Sequence, residues 1–263
     1  MLQRFYLLRE LKAEFSKYRR TMVYWLMVLC PLAIAFFVFV INNWTMPTSL
    51  TQLIEKGKNP WEMYIIIHYR VMSIMLLPLY IAMMTGVIYG REHRNNTWKH
   101  LYALPIPQWS IELSKNIFSL LILLFTLLIY AGFVLLSGYV LSMTNPKMNL
   151  APFDNHLGFN LLMALKVFLS MISIWAVHNW VGRRFSSFGY NIGLGLVGVI
   201  SAGVLIQGWK YVKYYPYAFP ALGVLDKQGI HTLFSQPIVY SLIVGAVLWA
   251  ISFWDIHRRT IRA

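Results

Sequence analysis

Between two long apolar stretches lies Gly90-Arg91-Glu92-His93-Arg94-Asn95-Asn96-Thr97-Trp98-Lys99-His100-Leu101-Tyr102-Ala103-Leu104-Pro105-Ile106-Pro107, the densest run of side chains able to do chemistry. Trp98, Leu101, Tyr102 and Leu104 would gather on one side of a short helix, with Arg94, Lys99 and His100 around them. Pro105 ends that helix, because proline disfavours a helical residue before it. The chemistry is recognition rather than catalysis. An apolar patch with a basic rim suits a partner's groove, or else packs back on the chain's own helices.

Catalytic parts are missing from the sequence pattern. Gly57-Lys58 is followed by Asn59 and has Gln52 where a phosphate-binding loop needs its first glycine. No connection on the side of the Glu92 loop is long enough to house a nucleotide-binding domain. The histidines His68, His93, His100, His156, His178, His231 and His257 form no H-E-x-x-H, and Cys30 has no second cysteine. No metal site, catalytic residue or disulfide is therefore expected.

Some ionisable groups lie within or beside apolar stretches, where charge is costly. Lys166 and Arg70 either snorkel to an interface or line an outward path for an anionic or amphiphilic substrate. His178, beside Asn179, reads as an interfacial residue. Glu62 and Asp255 stand near span ends, within reach of water, and no buried carboxylate relay for a proton-driven pump is expected.

The elements that hold these residues are set by composition. The chain is 58% apolar and only 12% charged, unlike a water-soluble domain. Its net charge of +14 does not collect on a soluble domain, which argues against nucleic acid. A membrane-crossing helix needs about 20 apolar residues. Six stretches qualify: 21–41, 71–89, 116–142, 158–181, 189–207 and 237–254. The length of the first, its charged leader and the lack of small residues after it argue against a cleaved signal peptide.

Basic residues alternate between the connections. Arg4 to Arg20, Arg91 to Lys115, Arg183 with Arg184, and Arg258 to Arg262 fall on one side. They outnumber Lys56, Lys58, Lys147, Lys210, Lys213 and Lys227 on the other. The first side is expected to be cytoplasmic, with both termini. Residues 1–20 carry Phe5, Leu8, Leu11, Phe15 and Tyr18 at helical spacing among charges, which predicts an amphipathic helix in the membrane interface. Gly189-x-x-x-Gly193 and the pair Gly198 and Ala202 would let a helix from this chain or a second subunit approach closely. Residues 208–236 are rich in Trp and Tyr, as at a bilayer surface, and predict either an outer segment that dips into the membrane or an unstructured aromatic loop.

The expected fold is an all-α membrane protein: six transmembrane helices in one domain, 21–263, after an interfacial helix, 1–20. This order of features resembles the permease subunit of type-2 ABC exporters along essentially the whole chain. In sequence the likeness concentrates in Glu92 to Pro107 with Leu113-Ser114-Lys115, and is strongest to lantibiotic-protection permeases and bacterial relatives. The resemblance implies an elbow helix at the N-terminus, re-entrant helices at 208–236, and a coupling helix from Glu92 to Leu104. Glu92, Arg94, Thr97, Trp98, Leu101, Leu104 and Pro105 would meet a separate ABC ATPase, which would hold ATP and Mg while this chain holds no cofactor. It further implies a second permease subunit, identical or homologous, lipid contact, a bacterial plasma membrane, and export of an amphiphilic, lipid-like or peptide substrate. An ATP-independent carrier or channel is the alternative reading of the residues; a membrane-embedded enzyme lacks clustered acids or a nucleophile.

Overall fold

The computed structural model describes residues 2–94, 106–226 and 229–260, and of residues 2–5 and 256–260 the backbone alone. Among the described residues every regular element is helical. Helix α1 (Leu2–Tyr18) precedes α2 (Met22–Thr45) and the short α3 (Thr48–Glu55). Helix α4 (Trp61–Val71) passes through a π turn, Met72–Leu76, into α5 (Leu77–Arg94). Then come α6 (Gln108–Thr144), α7 (Leu157–Ser170), α8 (Ile172–Arg184) and α9 (Phe188–Leu205). The short α10 (Phe219–Leu225) and α11 (Gln236–Thr260) complete the chain. Five helices are long and apolar enough to cross a membrane, and the pair α7 and α8 makes a sixth span.

The expected spans are present, although α6 begins at Gln108 rather than 116 and α11 runs on to Thr260 rather than 254, and two further differences have a clear physical origin. The second starts at Trp61 rather than 71, because the preceding turns are buried instead of solvated: Trp61, Tyr64, His68 and Tyr69 have no exposed surface. The polar tips of Trp61, Tyr64 and Tyr69 are satisfied, which makes their burial affordable. Trp61 Nε1 donates to Leu150 O at 3.0 Å, Tyr64 and Ser137 share a hydroxyl hydrogen bond of 2.9 Å, and the Tyr69 hydroxyl donates to Asn160 Oδ1 at 3.1 Å. The result is a helix of 34 residues beside an α6 of 37. At 1.5 Å per residue each exceeds about 50 Å, against about 30 Å of hydrocarbon. Both are therefore longer than the hydrocarbon is thick.

The fourth span is broken rather than straight. Helices α7 and α8 meet at Met171 with a bend of 45°. A break inside the hydrocarbon frees backbone groups that must find partners. Ser241 of α11 supplies them: its hydroxyl donates to Ser170 O at 2.7 Å and accepts from Ser173 N at 3.2 Å. Gly245, one turn on, lets α11 close on Ile172, where a Cβ would lie 2.7 Å from the side chain.

Between α9 and α11 the chain folds back into the bundle. Helical turns at Val212–Tyr214 and Pro216–Ala218 bring Tyr217 against α9, and α10 packs among α4, α7 and α11. Gly198 makes room for this. A Cβ there would meet the Tyr217 ring at 2.3 Å, whereas a Cβ at Gly193 would meet nothing within 4 Å. Gly198→Val is thus expected to cost about 1–3 kcal/mol by overpacking. Gly193→Val should leave stability unchanged within about 0.5 kcal/mol. Thermal unfolding of the two purified variants in one detergent checks the contrast.

Candidate functional site

Helix α5 ends at Arg94 and α6 begins at Gln108, so the residues expected to recognise a partner lie between two helix ends. Thr97, Trp98, Leu101, Leu104 and Pro105 lie outside the described residues. Glu92 and Arg94 lie inside them, and Glu92 is fully buried.

Two turns into α6, Lys115 is also fully buried. Its ammonium donates to Glu92 Oε1 and to Glu14 Oε1 of α1, each at 2.7 Å. Lys17, one turn beyond Glu14, donates to Glu92 as well and stands 3.9 Å from Glu14 Oε1. Two carboxylates thus share two ammoniums, so neither sign is left buried and unpaired. Burial, and then the charge of Lys115, lower the Lys17 ammonium from its ordinary lysine value, while Glu14 and Glu92 pull it up. Tyr18 seals the cluster: its hydroxyl donates to Ile88 O at 3.0 Å and its ring stacks on Phe118 with centroids 4.9 Å apart.

Glu112 and Asn116 lie three residues before and one after Lys115, on the side of α6 that meets α8. The Arg183 guanidinium pairs with Glu112, donates to Asn116 Oδ1 at 2.6 Å, and reaches Asn179 Oδ1 through Nε at 2.7 Å. Asn179 Nδ2 donates to Asn116 Oδ1 at 2.8 Å, and the Tyr89 hydroxyl donates to Asn179 Oδ1 at 2.9 Å. His93, next to Glu92, donates through Nε2 to Gly182 O at 3.0 Å. Both ends of the loop are therefore fastened, to each other, to α1 and to α8.

The other expected residues fall elsewhere. Arg94 lines, with Gly86, Val87, Gly90, Ser186 and Phe188, a cavity of about 360 Å³ between α5 and the start of α9. Arg70 is exposed on α4, within a continuous helix rather than at its entrance. Lys166 is buried and donates to the carbonyls of Gly229 at 2.6 Å and Ile230 at 3.4 Å. Gly198 and Ala202 are buried within the chain, whereas Gly189 and Gly193 are exposed. His178 is fully buried, not interfacial, because Tyr217 and Asn191 give both ring nitrogens a partner. Glu14, Glu92 and Glu112 are buried, whereas Glu62, expected within reach of water, is partly exposed.

Sequence reasoning counted Lys17 and Arg183 as orientation charges, and Lys115 as one within the run Leu113-Ser114-Lys115; it named Glu14 and Asn179 without partners and passed over Glu112 and Asn116. A signal was present. Glu112, Lys115 and Asn116 recur at helical spacing directly after Pro107, at the mouth of an apolar run where solvated charge has little reason to be.

Among the described residues, five helices long and apolar enough to cross a membrane, or six with the bent pair counted as one, and a buried ion cluster where α1, α5 and α6 meet describe a multi-pass membrane protein. A family model described as ABC-2 family transporter protein matches residues 10–202, well over half of the chain, and the chain belongs to that family. It is an ABC-type permease, the transmembrane component of such a transporter. Comparison with curated proteins and with solved structures gave no match.

Replacing Lys115 with Met strands Glu14 and Glu92 beside a single, partly exposed lysine. The expected loss is about 3–5 kcal/mol, the usual cost of an uncompensated buried charge. Lys17→Met, nearer water, should cost less. Unfolding of the two variants compared with the wild type measures both; equal losses would show that Lys115 is not the keystone.

Proposed function

We propose that this permease exports an amphiphilic, lipid-like or peptide substrate, driven by ATP hydrolysis in a separate ABC ATPase. The observation that carries the reading is the ion cluster at Lys115. It makes the two ends of the 95–105 loop one mechanical unit with α1 and α8. A loop needs such fastening if force is to pass through it, and not if it only connects two spans.

In this reading the basic end faces the cytoplasm of a bacterial cell, both termini included, and the protein sits in the plasma membrane. Helix α1 is the elbow, lying in the lipid interface with Arg9 and Lys12 toward anionic headgroups. Thr97, Trp98, Leu101, Leu104 and Pro105, with Arg94 and Glu92 behind them, form the coupling helix that enters the ATPase. ATP and Mg belong to that partner, and this chain holds no cofactor. Closure of the ATPase displaces the loop, and the displacement shifts the spans between two packed arrangements. A second permease subunit, identical or homologous, completes the transporter. The exposed Gly189 and Gly193 face of α9 is open to a helix of that subunit. Arg70, exposed on its helix, remains available to an anionic or amphiphilic substrate on its outward path; Lys166 borders that path from the segment it caps.

The test is capture of the ATPase by the tagged permease from co-expressing cells. Trp98→Glu and Leu101→Glu should lose the ATPase while the permease still folds. Lys56→Glu, at the opposite end, should retain it. Equal recovery with all three contradicts the docking role.

A further inference from the structure

The hydrogen bonds at the basic end do not stop there. Asn179 belongs to the Arg183 and Glu112 cluster, and its neighbour His178 begins another. His178 Nε2 is hydrogen-bonded to the Tyr217 hydroxyl at 2.9 Å, and Nδ1 meets the Asn191 amide of α9 at 3.3 Å. Turned over, that amide accepts from Gly86 N at 3.0 Å; either orientation leaves Tyr217 on His178. Gly195 allows the approach, since a Cβ there would lie 2.8 Å from Ala82 and 3.6 Å from the His178 ring.

Tyr217 stands at the innermost turn of the segment between α9 and α11, in the helical turn Pro216–Ala218 that precedes α10. The far part of the same segment is held by Lys166, through the carbonyls of Gly229 and Ile230. The two anchors thus stand on opposite sides of the break at Met171, Lys166 on α7 and His178 on α8. Any change in the 45° angle between these helices changes the distance between the anchors. The inner turn of the segment must then move against its outer part.

We infer that the His178 and Tyr217 hydrogen bond is the latch through which movement of the basic end repositions the re-entrant segment. His178 is a positioning residue. Asn179 takes its direction from the loop cluster and His178 delivers it to Tyr217. The inference rests on the ATP-driven reading above, and the experiment separates the two.

Spin labels are placed on the permease in complex with its ATPase, in a Cys30→Ala background. One pair, Leu8→Cys and Ser186→Cys, reports on the basic end; the other, Lys213→Cys and Ala151→Cys, reports on the re-entrant segment. Distances are compared without nucleotide and after trapping with ATP, Mg and vanadate. Both pairs should shift in the otherwise wild-type complex. Tyr217→Phe keeps the ring against Gly198 and removes only the hydroxyl. It should keep the inner shift and lose the outer one. His178→Gln, which retains a hydrogen-bonding atom near the place of Nε2, should restore much of the outer shift that His178→Ala loses, a rescue that mere packing would not give. An outer shift of wild-type size in Tyr217→Phe overturns the latch. Absence of any inner shift in the wild-type complex overturns the ATP-driven reading, and the latch with it.

Discussion

A lysine ammonium without exposed surface can exist in this fold only because two carboxylates come to it. Desolvating Lys115 costs several kcal/mol, and the cost is met only when Glu92 of α5 and Glu14 of α1 converge on one nitrogen. Three helices that are distant in sequence are thereby tied to one point. The loop that joins α5 to α6 has no freedom at its base, and α1 cannot lift from the bundle without stranding charge. The Arg183 cluster repeats the logic one face further round α6 and adds α8.

Away from this point the helices are interrupted. The π turn Met72–Leu76 and Pro31 of α2 come together around one small cavity with Leu77, Tyr80, Thr126 and Tyr130. The break at Met171 is patched by the Ser241 hydroxyl rather than by a continuous helix. At the opposite end Trp61, Tyr64, Tyr69 and Asn160 form a second cluster held by neutral hydrogen bonds. π turns and breaks in spans recur at functional positions. The interruptions thus lie between two hydrogen-bonded ends.

Much of the architecture was legible because hydrocarbon imposes length and polarity together. The run 189–207 differs little from α9 and the run 116–142 lies within α6, while between α9 and α11 the described residues pack into the bundle. The extension of the second span to Trp61 was not legible. His68, Arg70 and Glu62 read as the polar foot of a span, and only packing against Tyr130 and Asn160 buries the His68 side of that helix while Arg70 stays exposed. Of the site, Trp98, Leu101 and Pro105 marked the loop in the sequence but lie outside the described residues. Arg183 read as an orientation charge, and Lys115 as one within the run Leu113-Ser114-Lys115. Their partners, Glu14 and Glu112, lie on other helices, and one sequence does not say which helices touch.

The central claim is that Lys115 makes α1 and the loop move together. Hydrogen exchange of the permease in complex with its ATPase, followed with and without ATP and Mg, tests it directly. The account predicts that nucleotide changes the exchange of α1 amides around Glu14 together with those of the first turns of α6, and that Lys115→Met leaves the change in α6 and removes it from α1. A nucleotide response confined to residues 95–105 in the wild-type complex would contradict it.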